Sequence, residues 1–68
     1  WWRITPTYEV VDESGTPHNK TFVVHVKLRH ITAGRGVGSS KKQAEQNAAA
    51  QALQYTEQNR RHLDETFG

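Results

Sequence analysis

The chain has 68 residues, of which 34% are hydrophobic, so it forms at most one small domain whose core depends on a few side chains. It contains no cysteine, which excludes disulfides, thiolate metal sites and thiol nucleophiles, and its apolar runs are too short for a membrane span or a secretory signal. Residues 1–42 hold seven basic and three acidic side chains (+4), and residues 43–68 hold two and four (−2). A basic half is compatible with a polyanionic partner.

The first half of the chain predicts three β-strands, because β-branched residues alternate with polar ones there. These strands cover residues 5–11, 21–28 and about 31–35. The second strand has one uniformly apolar face, which we expect to pack against a helix and which consists of Phe22, Val24, Val26 and Leu28.

Residues 12–19, between the first two strands, are almost all turn-forming types and are too many for a tight hairpin. They predict an exposed loop that a rigid sheet presents to a ligand, with His18 as a polar group within reach. The second connection, Arg29-His30, has only two residues and lacks the Gly or Asn that positive φ angles favour.

A helix is predicted from Lys41 through at least Tyr55, because this stretch is rich in Ala, Gln and Leu and contains no helix breaker. Ser39 or Ser40 is the expected N-cap. The face expected to meet the sheet consists of Ala44, Ala48, Ala49, Ala52 and Leu53. We expect the domain to occupy residues 1–58, with residues 59–68 as a tail or an extension of the helix.

The glycines at positions 34, 36 and 38 are expected to end the third strand. They do not form a dinucleotide-binding loop, because Ser39 stands where the third glycine is required. Two interpretations remain. In the first, the backbone at these glycines lies close to another segment or turns sharply. In the second, the lack of side chains lets the start of the following helix approach a phosphate.

The start of the helix gives the sharpest indication of binding. Lys41 and Lys42 stand in the first turn, where free amides and the helix dipole favour anions over cations. An anion that bridges the two ammonium groups and the amides makes this placement favourable. Lys41 and Glu45 point in the same direction as the alanine face, and a charged face cannot be buried along its whole length. We therefore expect the first turn of the helix to extend beyond the edge of the sheet. The alternative is a solvated lysine pair, partly relieved by Glu45.

The remaining polar residues give little sign of catalysis. The histidines show no metal-site spacing, and neither a Ser-His-Asp set nor paired carboxylates are suggested; the histidines are His18, His25, His30 and His62. We therefore expect no metal, no cofactor and no enzymatic activity in this chain. Because the chain begins at Trp1 and contains no methionine, we also expect it to be a piece of a longer protein.

Three segments match the motifs of one family in the right order. Pro6-Thr7-Tyr8 resembles a first-strand Pro-x-Tyr, Gly15-Thr16-Pro17-His18 resembles a Gly-Pro-x-His loop, and residues 36–49 resemble a helix signature that includes Lys41 and Lys42. On these motifs the chain resembles the double-stranded-RNA-binding domains, most of all the carboxy-terminal domain of bacterial ribonuclease III. Pro17 stands one position late in the loop motif, and Glu45 stands where many members carry a third lysine.

The resemblance implies an α+β fold, in which a three-stranded antiparallel sheet carries a helix on one face. The family's first helix, which covers part of the sheet, is missing from this chain. The candidates to shield that part of the sheet are Trp1 and Trp2, or residues not included here. The resemblance also implies binding of duplex RNA by its A-form shape, across two minor grooves and the major-groove phosphates between them. The RNA-binding residues that it implies are Thr16, Pro17, His18, Arg35, Ser40, Lys41, Lys42 and Gln46.

Two functions follow from this resemblance. The first is an RNA-binding module of a ribonuclease III-like parent protein, with the nuclease domain elsewhere in that parent. We expect the parent to be cytoplasmic, to have no membrane partner and to form a homodimer. The second is a protein-interaction or dimerisation module of the same fold, in which the exposed sheet or the helix docks a partner.

Overall fold

The computed structural model describes residues 4–67 and shows three strands followed by two helices. In chain order the elements are β1 (Thr7–Thr16), β2 (Asn19–Leu28), β3 (Ile31–Gly38), α1 (Lys41–Gln58) and α2 (Arg60–Phe67). The strands form one antiparallel sheet in the order β1-β2-β3, and α1 packs across β3 and β2. The predicted α+β architecture is confirmed. Within the described residues no helix precedes β1, and Trp1 and Trp2 lie outside them.

The hydrophobic core lies between the sheet and α1. The apolar face predicted for β2 is buried there, together with Ala44, Ala48 and Ala52 of α1. Leu53, which was expected in this core, is instead 54% exposed. Each residue turns the helix by about 100°, so the buried row proceeds in steps of four and continues from Ala52 to Thr56.

β3 continues through its glycines to Gly38, so the prediction that they end the strand is wrong. The glycines face α1, and the helix lies almost against the strand backbone. A Cβ at Gly34 would lie 2.7 Å from the backbone nitrogen of Ala52, and one at Gly38 would lie 2.6 Å from that of Ala44. Glycine is therefore required at these positions of an extended strand, because the backbone of α1 occupies the space that a side chain would fill.

The outer edge of β3 is covered by three amide side chains of α1. Gln51 Oε1 accepts from the N–H of Arg35 (3.1 Å), and Asn47 Nδ2 donates to the carbonyl of Val37 (2.7 Å). Gln43 Oε1 accepts from the N–H of Ser39, the residue directly after β3 (3.2 Å). Four helical residues rise about 6 Å and two strand residues about 6.6 Å, so the two spacings match. This amide row (Gln43, Asn47 and Gln51) fixes α1 along the strand and satisfies edge groups that are otherwise open to pairing.

The long loop predicted over residues 12–19 is wrong. β1 extends to Thr16 and β2 begins at Asn19, so only Pro17 and His18 form the turn. The proline ring excludes the positive φ of the usual two-residue hairpin turns, and the positive φ lies at Gly15 (101°) instead. Thr16 Oγ1 accepts a hydrogen bond from the N–H of Asn19 (3.2 Å). Residues 12–16 are of turn-forming types, and they form part of a strand here because each of them is paired with a residue of β2.

The helix α2 lies at the opposite end of the sheet, next to the β2–β3 connection. At the β2–β3 connection, Arg29 adopts a φ of 58°, and its guanidinium carbon lies 5.8 Å from the ring centre of Phe67. Leu63 is fully buried, and Phe67 packs against the core. Residues 60–67 therefore form a separate short helix that contacts α1 and reaches the core and the β2–β3 connection through Phe67.

Candidate nucleic-acid interface

The β1–β2 turn and the start of α1 lie at the same end of the sheet. Glu13, Phe22 and Gly38 form the last row that all three strands share. Beyond this row the β1–β2 hairpin continues alone for three residue pairs, and α1 begins three residues after Gly38. At about 3.3 Å per residue, His18 lies roughly 13 Å along the strand beyond Phe22. The hairpin thus projects past the helix start on one side of the molecule.

The first turn of α1 is basic and exposed. Ser40 is the N-cap, and its Oγ accepts a hydrogen bond from the N–H of Gln43 (3.1 Å). Lys41 and Lys42 follow it, both exposed, and the first turn contains no acidic residue. Glu45, one turn later, is half-buried. Two ammonium groups therefore stand at the positive end of the helix dipole with no carboxylate in that turn.

The hairpin turn presents polar groups to solvent. Thr16, Pro17 and His18 are all exposed. The hydroxyl of Thr16 is held within the turn by its bond to Asn19, whereas the imidazole of His18 stands at the tip. Thr16 ends β1 and Pro17 and His18 form the turn, so paired strands carry these residues in place of the long loop predicted from the sequence.

The other two predicted site residues lie in different places. Gln46 is exposed on α1, four residues after Lys42 and therefore on the same helix face. Arg35 pairs with His25, and both alternate with residues that face α1, so Arg35 lies on the opposite face of the sheet. All the predicted residues except Arg35 therefore lie on the β1–β2 hairpin or in the first turns of α1 and its N-cap, at the same end of the sheet. Their contacts with RNA remain predictions.

A bulge in β1 brings one further charged residue to this surface. The register shifts between Val10 and Asp12, so Glu13 pairs with Phe22 and lies on the α1 side of the sheet. Without the extra residue, strict alternation would place Glu13 on the far side.

Glu13 and Lys20 form an ion pair on the α1 side of the hairpin. Glu13 Oε1 accepts a hydrogen bond from Lys20 Nζ at 2.9 Å, and both side chains are a little under half exposed. This bond lowers the pKa of the Glu13 carboxyl below its ordinary value, and the charges of Lys20 and of Lys41 lower it further against a small opposing effect of desolvation. Sequence reasoning missed this pair, because only the bulged register puts the two residues on one face.

Residues 4–67 contain no group of three or more histidine, aspartate or glutamate side chains that could hold a metal ion. No helix in this range combines the length and the apolar character needed to cross a membrane.

Comparison with known proteins identifies the family. Residues 2–56 match the model of the double-stranded RNA binding motif. Ribonuclease 3 of Natranaerobius thermophilus is 53% identical over 49 residues, which are 72% of this chain and 21% of that protein. Ribonuclease 3 of Caldanaerobacter subterraneus subsp. tengcongensis is 55% identical over 47 residues (69% and 21%). That of Protochlamydia amoebophila is 49% identical over 53 residues (78% and 22%).

The chain spans about a fifth of the length of these relatives. The family match covers the three strands and nearly all of α1, including the hairpin turn and the two lysines. The fold, the motifs and the comparisons agree, and the chain belongs to the double-stranded RNA binding motif family.

Proposed function

We propose that this domain binds duplex RNA with the surface formed by the β1–β2 turn and the start of α1. In this arrangement His18 and its neighbours Thr16 and Pro17 enter a minor groove, while Lys41 and Lys42 bind phosphates across the adjacent major groove. The observation that carries the proposal is the exposure of both lysines at the same end of the sheet as the hairpin turn.

The placement of the lysines favours an anionic ligand. Cations in the first turn oppose the helix dipole, at a cost of about 0.3–1 kcal/mol each when exposed. A phosphate reverses this sign, because it accepts hydrogen bonds from the free amides of the first turn and pairs with the ammonium groups. Ser40 begins the helix at this point, and Gln46 extends the polar surface along the same side.

The projecting hairpin suits the A-form duplex. The minor groove of A-form RNA is wide and shallow and displays 2′-hydroxyl groups, whereas its major groove is too narrow for side chains to read bases. A two-residue turn that carries the His18 imidazole next to the Thr16 hydroxyl is able to meet 2′-hydroxyls without entering deeply. Recognition is therefore expected to depend on duplex shape rather than on base sequence.

Competition among three ligands of equal length tests this proposal: duplex RNA, duplex DNA and single-stranded RNA. Tight, sequence-tolerant binding to duplex RNA, with much weaker binding to the other two, is the expected result. Equal affinity for duplex RNA and duplex DNA would show that only charge is read, and would contradict the proposed role of the 2′-hydroxyls.

For the longer protein, we propose a ribonuclease III-like parent in which this domain holds the substrate while a nuclease domain elsewhere cleaves it. The support is the 49–55% identity to proteins named ribonuclease 3. We also propose that this chain serves binding without catalysis, that the parent is cytoplasmic and that it forms homodimers.

A protein-interaction role is the second candidate, and one observation favours it. An apolar groove of about 230 Å³ lies between β1 and α1. Tyr8 and Leu53 line it and are 46% and 54% exposed. Sedimentation of the free chain over a range of concentrations separates the candidates, because docking of a second copy predicts association that depends on concentration and needs no RNA.

A further inference from the structure

We propose that Lys20 is a further phosphate-binding residue of the RNA interface, and that Glu13 is the positioning residue that holds its ammonium group in the free domain. The inference rests on the proposed function, because it extends the same surface. Neither residue belongs to the turn or to the helix start from which that surface was identified.

The first argument concerns the face of the sheet. Lys20 alternates with Phe22 and Val24 along β2, so it lies on the side that carries α1. Its Nζ lies 2.9 Å from Glu13 Oε1, and Glu13 shares a row with Phe22 and Gly38, three residues before α1 begins at Lys41. The bulge in β1 is what places the carboxylate on this side. Lys20 therefore shares the surface of the lysine pair.

The second argument concerns order along that surface. Lys20 lies on the part of the hairpin that extends beyond β3, two residues from His18 and two from the shared row at Phe22. It thus stands between the turn and the start of α1. A sugar-phosphate strand separates any minor groove from the adjacent major groove. A protein that touches both grooves must cross that strand, and Lys20 is the cation at the crossing point.

The third argument concerns the carboxylate. A glutamate that faces RNA repels phosphate, so its presence on this surface needs a reason. The pair with Lys20 supplies one, because it orders a flexible ammonium group that otherwise loses rotamer freedom on binding. When RNA binds, the ammonium group bridges the carboxylate and a phosphate oxygen. The exposure of both side chains leaves room for this.

A matched ion pair on the opposite face provides the control. Lys27 Nζ lies 3.0 Å from Glu9 Oε2, and the register of β1 and β2 places both residues on the side of the sheet away from α1. The two pairs share residue types and strands, and Lys27 lies seven residues along β2 from Lys20 on the opposite face, away from the hairpin turn and from the start of α1. Lys27→Ala is therefore expected to leave RNA affinity and its salt dependence unchanged.

The test measures binding of one duplex RNA by fluorescence anisotropy at several salt concentrations, with wild type, Lys20→Ala, Glu13→Gln and the double variant. Lys20→Ala is expected to weaken binding roughly tenfold and to reduce the slope of log affinity against log salt by about one unit. Glu13→Gln keeps an oxygen that accepts from Lys20 and removes the repulsive charge, so it is expected to strengthen binding about twofold to threefold.

The double variant decides the inference. Lys20→Ala alone also leaves Glu13 unpaired, and that charge weakens binding even if Lys20 never touches RNA. If Lys20 binds phosphate, the double variant still has a slope about one unit smaller than Glu13→Gln. Equal slopes and affinities for those two variants would overturn the proposal. Lys20→Gln, which keeps most of the stem, serves as a second variant should Lys20→Ala reduce folding.

The proposed function has its own readout in this series. If wild-type protein does not bind duplex RNA, both ideas fail together. In another outcome, wild type binds with a slope of log affinity against log salt that Lys41→Ala lowers, while the double variant and Glu13→Gln have equal slopes. In that case only the role of Lys20 and Glu13 is wrong.

Discussion

Gly36 of β3 lies directly against Ala48 of α1: a Cβ at Gly36 would lie 2.8 Å from the Cα of Ala48 and would overlap the backbone of Ala44. Because both residues are nearly without side chains, the helix approaches the strand backbone itself. This close approach and the amide row fix the axis of α1 over the sheet. They therefore also fix where the lysines at its start stand relative to the hairpin.

Replacing Gly36 with alanine is expected to lower the free energy of unfolding by about 3 kcal/mol or more, because the clash is with backbone that has no room to yield. A domain of this size has a total stability of only about 3–10 kcal/mol. Urea unfolding followed by circular dichroism measures the change. Thr32→Ala, at an exposed position of the same strand, is the control, with an expected cost below about 1 kcal/mol. A Gly36→Ala protein as stable as this control would refute the close packing.

The amide row is tested at Gln51, whose side-chain oxygen accepts the N–H of Arg35. Gln51→Ala is expected to lower the free energy of unfolding by about 1 kcal/mol, because it removes the partner of a strand-edge amide. Gln54→Ala is the matched control, since Gln54 has the same residue type on the same helix and is exposed. Indistinguishable urea midpoints for the two variants would mean that the row adds no stability.

The contribution of α2 is tested by a pair of leucines. Leu63→Ala is expected to cost about 2–5 kcal/mol, because Leu63 is fully buried and its loss leaves a cavity. Leu53→Ala removes the same atoms from a side chain that is 54% exposed, so its cost is expected to be much smaller. The division of the chain at residue 58 stays a prediction. A large effect of Leu63→Ala would count against it, because residues 59–68 would then belong to the folded unit.

Periodicity made much of this fold predictable from the sequence. Alternation revealed the buried face of β2, and residue composition with a serine N-cap revealed α1. Both signals are local, because each can be read from residues that are close together in the sequence. The exposed lysines at the helix start were predictable for the same reason.

The errors arose where a distant partner decides the local structure. Glycine and the residues of positions 12–19 usually interrupt strands, yet here α1 packs on the glycines and β2 pairs with the second half of β1. The left-handed backbone of Arg29 has no local signal of the Gly or Asn kind. Glu13 was missed because its face depends on a bulge, and a single extra residue reverses the side of every residue that follows.

The Glu13–Lys20 pair predicts a pH dependence. The pKa of Glu13 is lowered in the folded state, first by the hydrogen bond from Lys20. Its contribution to stability is therefore fully present above the ordinary glutamate value of 4.5 and is lost as the pH falls through the lower folded-state pKa. Carboxyl titration by nuclear magnetic resonance is expected to show the Glu13 pKa rising toward its ordinary value in Lys20→Ala. An unchanged titration would show that the pair is not formed in solution.

The central claim, that Lys41 and Lys42 bind phosphate, is tested most directly by the salt dependence of duplex-RNA binding. The measurement compares wild type with the Lys41→Ala/Lys42→Ala protein, with Lys27→Ala as the control for loss of a lysine elsewhere. We predict weaker binding and a slope of log affinity against log salt that is smaller by about two units. If the folded double variant retains both the affinity and the slope of wild type, these lysines do not hold the RNA.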